Sequence, residues 1–123
     1  MTFESERRSN SRIPVEMWVE ESTDHELYFQ RSANLSEGGL FLENTIPHPI
    51  GKVVTLSFTL PGDSQLLTVL GEIVNTPDPG QLGMGVKFLE VDEATQRRIQ
   101  GFVERERVSL SEPAETGDSA ARR

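Results

Sequence analysis

A chain of 123 residues with a formal net charge of -8 and no cysteine has room for one core and for neither a disulfide framework nor thiolate chemistry. The acidic balance argues against general affinity for DNA or RNA, which needs many phosphate-neutralising cations. No apolar run approaches the roughly 18 residues of a membrane span, and "MTFESERRSN" lacks the apolar stretch of a secretory signal, so a cytoplasmic location without membrane insertion is expected.

Residues 1–12 read as an arm in which "RRSNSR" packs three arginines into six positions. Of the 12 basic residues only Lys52 and Lys87 are lysine, and arginine is the side chain whose planar fork suits phosphates and purine edges. Residues 13–20, "IPVEMWVE", alternate with Ile13, Val15, Met17 and Val19 on one face, the period of a half-buried strand. A polar turn over Ser22 to His25 leads to "ELYFQRSANL" as a second strand and "GGLFLEN" as a third. After the turn "HPIG", "KVVTLSFTL" sets Val54, Leu56, Phe58 and Leu60 on one face. "PGDSQ" is a hairpin turn. "LLTVLGEIVNT" returns, with Gly71 as a place for a bulge or bend, and "PDPGQ" turns into a last strand, "GMGVKFLEV". About six short antiparallel strands with Gly/Pro punctuation suggest a barrel or sandwich.

From Asp92 the period changes. Asp92 is placed as a helix N-cap, Glu93 pairs with Arg97, and Ile99, Phe102 and Val103 make an apolar stripe. A helix over 92–107 is expected to cover the strands, despite Gly101. Residues 13–107 then form the folded unit, and 108–123 a polar, disordered tail. No internal repeat is visible.

Little here supports catalysis. His25 and His48 fall in turns and read as solvated; two isolated histidines and no cysteine give no metal site. Acidic residues scatter over outward faces, Ser36 lies in no G-x-S-x-G elbow, and "GMGVKF" lacks the third glycine and following helix of a dinucleotide fingerprint. The chain does not read as an enzyme. What remains is "RRSNSR" and "NLSEGG". Asn34 to Gly39 is either a tight turn closed by a side-chain bond, or a ligand loop in which Gly38 and Gly39 permit positive φ and close approach. The arginines are either a solvated tail or a clamp.

Taken together the two stretches resemble the motif pair of the PilZ domain family. Arg8 and Arg12, with Arg7 just before, fit RxxxR; Asn34, Ser36 and Gly39 fit [D/N]xSxxG. The resemblance spans about residues 5–107, and "LSEGGLFLE" and "GMGVKFLEVDE" are similar to a branch common in myxobacteria and their relatives. It implies a mainly β fold, a six-stranded antiparallel barrel with a C-terminal α-helix, that acts as a stand-alone receptor for the bacterial second messenger cyclic di-GMP, with no cofactor and no metal. Arg8 and Arg12 would grip guanine and phosphate from the arm, and Arg7 would favour a stacked pair of ligands. Asn34 would face a second guanine, Ser36 would bond locally or to phosphate, and Gly38 and Gly39 would leave room. Asn34 stands where the family more often has Asp, and Asn75 where many members carry a stacking aromatic. The output would be an unidentified protein partner, in motility, pilus or surface-behaviour regulation. The rival readings are a nucleotide-independent adaptor and, against the net charge, an oligonucleotide-binding small barrel.

Overall fold

A computed structural model describes residues 12–111. Its strands are β1 (Ile13–Pro14), β2 (Trp18–Ser22), β3 (Leu27–Ser36), β4 (Gly39–Glu43), β5 (Val53–Thr59), β6 (Leu66–Asn75) and β7 (Met84–Leu89), followed by α1 (Glu93–Ser111). Neighbours run in the order β3-β2-β5-β6-β7-β4, all antiparallel, and β4 pairs back onto β3. Six strands therefore close into the expected barrel, which leaves no long edge open. Alternation decides what fills it: Val54, Leu56 and Phe58 of β5, Leu67, Val69 and Ile73 of β6, and Met84, Val86 and Phe88 of β7 are buried. Among the described residues no helix is long and apolar enough to cross a membrane.

The first expected strand, 13–20, is broken in two. Both β1 and β2 pair with β3, but Ser32 intrudes between them. Its fully buried hydroxyl donates to the Val15 carbonyl (2.5 Å) and accepts from the Met17 amide (3.2 Å). The side chain thus replaces a rung of the ladder. Across the same point the β3–β4 register shifts between Ser32 and Asn34, the mark of a bulge. Gly71, by contrast, marks no bulge. A Cβ there would run into Val86 and stand 3.3 Å from Leu56, so glycine leaves room for side chains from the two strands that flank β6. The irregularity in β6 lies between Ile73 and Asn75.

One end of the barrel is covered as expected. Ile99, Phe102 and Val103 of α1 are buried in one cluster with Ile13, Val15 and Met17. The Asp92 carboxylate accepts the Thr95 amide at 2.7 Å, and Arg97 reaches Glu93 at 2.8 Å. Arg98 holds Asp63 of the β5–β6 turn at 2.7 Å, tying the helix to the barrel. The helix continues to Ser111 rather than stopping at 107, because "ERERVSLS" contains no breaker; residues 112–123 lie outside the described residues. Hydrogen bonds from Thr95 hold the Asp92 carboxyl below its ordinary value. A carboxyl depressed in the folded state stabilises above its unfolded value and loses that contribution as pH falls through the folded one. Asp92→Ala should therefore lower Tm at neutral pH. The gap to the parent should close below about pH 4, where aspartate protonates, in paired melting curves across pH.

The opposite end departs from expectation. Glu21, expected with the other acidic residues to face outward, is fully buried, and His48, expected to be solvated, is its partner. His48 Nε2 lies 2.7 Å from Glu21 Oε2, a close polar contact without the alignment of a good hydrogen bond. Gln30 donates to Glu21 Oε1 at 3.1 Å, and the Tyr28 ring sits 5.4 Å from the imidazole. The reason is the register: Val19 is interior, so Glu21, two residues on, points inward near the barrel mouth. There the 44–52 loop folds over and brings His48 down onto it.

Candidate ligand site

The chain enters the barrel at Arg12. The next two residues pair Ile13 with Leu35 and Pro14 with Asn34, so Arg12 is carried alongside the end of β3. Its Nη1 donates to Asn34 Oδ1 at 3.0 Å. Two residues 22 positions apart, one from each sequence motif, are thereby joined. Surrounding protein draws the Arg12 pKa below its ordinary value by desolvation, yet a guanidinium remains a cation at any neutral pH. Arg7 and Arg8 lie outside the described residues.

Ser36 is buried and occupied locally. Its hydroxyl accepts the Gly38 amide at 3.2 Å and donates to the Gly39 carbonyl at 3.3 Å, closing the β3–β4 turn as a Ser side chain does. Gly38 and Gly39 do not take the positive φ expected of them: among the described residues the glycines that do are Gly51, Gly62, Gly80 and Gly83. Gly38 is exposed, and its carbonyl accepts from the Phe88 amide at 2.8 Å. A Cβ on Gly39 would run into the Val86 carbonyl. The space that glycine saves at 39 is thus filled by β7. Its role is to let two strands approach at the foot of the site.

From Asn34 a shelf crosses the outer surface of the barrel. Asn34 pairs with Phe41, Phe41 with Gly85, and Gly85 with Asn75. Phe41 is half-buried and would meet any side chain placed at Gly83. Sequence reasoning had looked for an aromatic at position 75 and passed over this one. The available signal was alternation: in "GLFLE", Leu40 and Leu42 are interior, which turns Phe41 outward onto the shelf. The arrangement offers a guanidinium fork, an amide with a donor and an acceptor end, and one aromatic ring. That set suits a planar, anionic, hydrogen-bonding ligand rather than a metal.

The family model described as PilZ domain matches residues 6–105. No curated protein matches the chain. Among solved structures, the Bacillus subtilis inhibitor of motility MotI/DgrA superposes with a TM-score of 0.70 at 18% identity, over 84% of this chain and 52% of that one. YcgR from Escherichia coli in complex with c-di-GMP gives 0.71 at 16% identity, over 89% and 50%. The PilZ domain of YcgR with c-di-GMP gives 0.64 at 16% identity, over 90% of this chain and 99% of that domain. The chain thus spans about half of the two longer proteins and nearly all of the isolated domain. At these identities the structural likeness speaks for the fold. Because the matched model runs from just ahead of the arginine-rich stretch, through every strand, into the closing turns of the helix, the chain belongs to the PilZ domain family.

Proposed function

We propose that the chain is a receptor for cyclic di-GMP, held in a reducing, cytoplasmic compartment, whose loaded form is read by a protein partner in motility or surface behaviour. The observation that carries the reading is the Arg12–Asn34 contact of 3.0 Å. It sets the last arginine of RxxxR against the first residue of NxSxxG, at the edge of a shelf open to solvent. A guanine offers O6 and N7 acceptors that an arginine fork meets with two bonds, and the two phosphates of a cyclic dinucleotide favour the same cations. Arg12 has donors to spare beyond the one given to Asn34, and Arg7 and Arg8 would approach from the arm. Asn34 would take the donor edge of a guanine, with one acceptor oxygen where aspartate has two. Ser36, Gly38 and Gly39 support the reading indirectly, by holding the β3–β4 turn on which Asn34 rests. The likeness to YcgR, solved with c-di-GMP, agrees with it.

Ligand that binds only the folded state raises stability by mass action. At a hundredfold excess over Kd the gain is about 2.7 kcal/mol, on the order of ten degrees in Tm for a domain of this size. Cyclic di-GMP should produce that shift, while GMP and GTP should not. No shift at near-millimolar cyclic di-GMP would favour the nucleotide-independent adaptor instead.

A further inference from the structure

The outward side of β2, β5 and β6, with the first half of β3, carries apolar side chains that the core does not use. Register places Leu27 beside Ser22, Phe29 beside Glu20 and Arg31 beside Trp18. β5 extends these rows with Thr55 and Ser57, and β6 with Leu70, Thr68 and Leu66. Phe29 is 66% exposed, Trp18 62% and Leu66 62%, with Leu27 and Leu70 exposed beside them. Their interior neighbours Val19, Phe58 and Val69 are buried, so the barrel is already filled without them. Leu27, Phe29 and Trp18 form one exposed apolar strip and Leu66 and Leu70 a second across the polar residues Thr55 and Ser57, and apolar surface grouped in this way on a barrel exterior marks an interaction site. Closure of the barrel means that a partner must lie on this face rather than add a strand to an edge.

Two charges stand within the face, and they differ. Arg31 is engaged: it holds Glu16 at 2.8 Å and lies over the Trp18 ring at 5.1 Å. Glu20 sits in register between Phe29 and Ser57, and its side chain makes no ion pair or hydrogen bond among the described residues. We infer that this face docks a protein partner whose contact surface sets lysine or arginine among apolar side chains. Phe29, Trp18 and Leu66 are the anchors and Glu20 the countercharge. A second copy of the chain fits poorly. Two-fold pairing brings both Glu20 carboxylates into one desolvated interface, between chains of net charge -8 each. An anionic lipid surface meets the same repulsion. The face uses the Leu27–Arg31 part of β3 and the Leu66–Leu70 part of β6, whereas the site uses Asn34 and Asn75 near the other ends of those strands, so the inference stands or falls apart from the nucleotide reading.

Trp18 is the single tryptophan of the chain, which makes intrinsic fluorescence a reporter for this face alone. The full chain is titrated with a leucine/lysine amphipathic helical peptide, with its leucine/glutamate counterpart, and with vesicles of phosphatidylglycerol and phosphatidylcholine in equal parts. The leucine/lysine peptide should shift Trp18 emission to the blue and protect it from acrylamide; the glutamate peptide and the vesicles should do neither. Glu20→Lys and Phe29→Ala should each weaken the response roughly tenfold or more, with unchanged circular dichroism because both side chains are exposed. Asp78→Lys, on the loop between β6 and β7, should behave as the parent. Equal responses to both peptides, an equal loss in Asp78→Lys, or a response to vesicles alone would overturn the inference. So would a Trp18 shift that follows self-association in sedimentation without peptide.

Discussion

Replacing His48 with alanine should lower the stability of the fold by about 1–3 kcal/mol, the cost of leaving a buried polar group without its partner. Glu21 is fully buried, and His48 Nε2 lies 2.7 Å from its Oε2. Gln30 satisfies the other oxygen at 3.1 Å, which leaves Oε2 facing His48 alone. His48 also anchors the loop between β4 and β5, so its removal frees that loop from the barrel mouth. Glu21→Leu should behave in the opposite sense. It removes the buried carboxyl group and its desolvation cost together, at similar volume, beside the buried apolar residues Val19 and Leu56, and such replacements are often neutral or stabilising. Urea unfolding of the parent, both single variants and the double variant measures this directly. His48→Ala in the Glu21→Leu background should cost far less than alone, since the two effects share one cause. If the single substitutions simply add, the pair is not a unit.

Arg12→Ala and Arg8→Ala should each weaken cyclic di-GMP roughly 10- to 100-fold, the range for losing a bidentate guanine contact of about 1–3 kcal/mol. Neither should unfold the barrel, because Arg12 is exposed and its one described partner is Asn34. Asn34→Ala should weaken binding less, and Asn34→Asp should tighten it: the carboxylate offers a second acceptor oxygen to guanine N1–H and N2–H₂. Arg7 should govern number rather than strength. Stacked ligands bring four phosphates together, and a cation with a flat face can offset and cover them. The parent should hold two molecules per chain and Arg7→Leu one, a stoichiometry that titration reads from its inflection.

The barrel was legible because alternation is a strong signal where one face is buried. Val54, Leu56 and Phe58 could only pack inward together, and the change of period at Asp92 could only mean a helix with Ile99, Phe102 and Val103 beneath it. Three features were not legible, each for a physical reason. The break in the first strand comes from Ser32, on another strand, and no local pattern in "IPVEMWVE" records it. Glu21 obeys the alternation that put Val19 inside, but a lone carboxylate is ordinarily assigned to water, and its partner lies 27 positions away in a proline-rich loop. Gly38 and Gly39 follow a motif written for a turn, whereas what demands glycine at 39 is the Val86 carbonyl of a strand met much later in the chain. Local chemistry was readable, and long-range contacts were not. The site divides in the same way. Arg12 and Asn34 were found as types and spacings, while the shelf through Phe41, Gly85 and Asn75 exists only once β4, β7 and β6 are side by side.

The central claim is that the joined arginine and asparagine motifs receive a cyclic dinucleotide. Isothermal titration of the intact chain with cyclic di-GMP, beside Arg12→Ala in the same buffer, tests it most directly. The expected result is saturable heat for the parent, weakened by salt as phosphate contacts are screened, and a 10- to 100-fold weaker isotherm for the variant, on the order of one bidentate contact. Saturable binding of equal affinity in both proteins, or no heat from either at near-millimolar ligand, would contradict it.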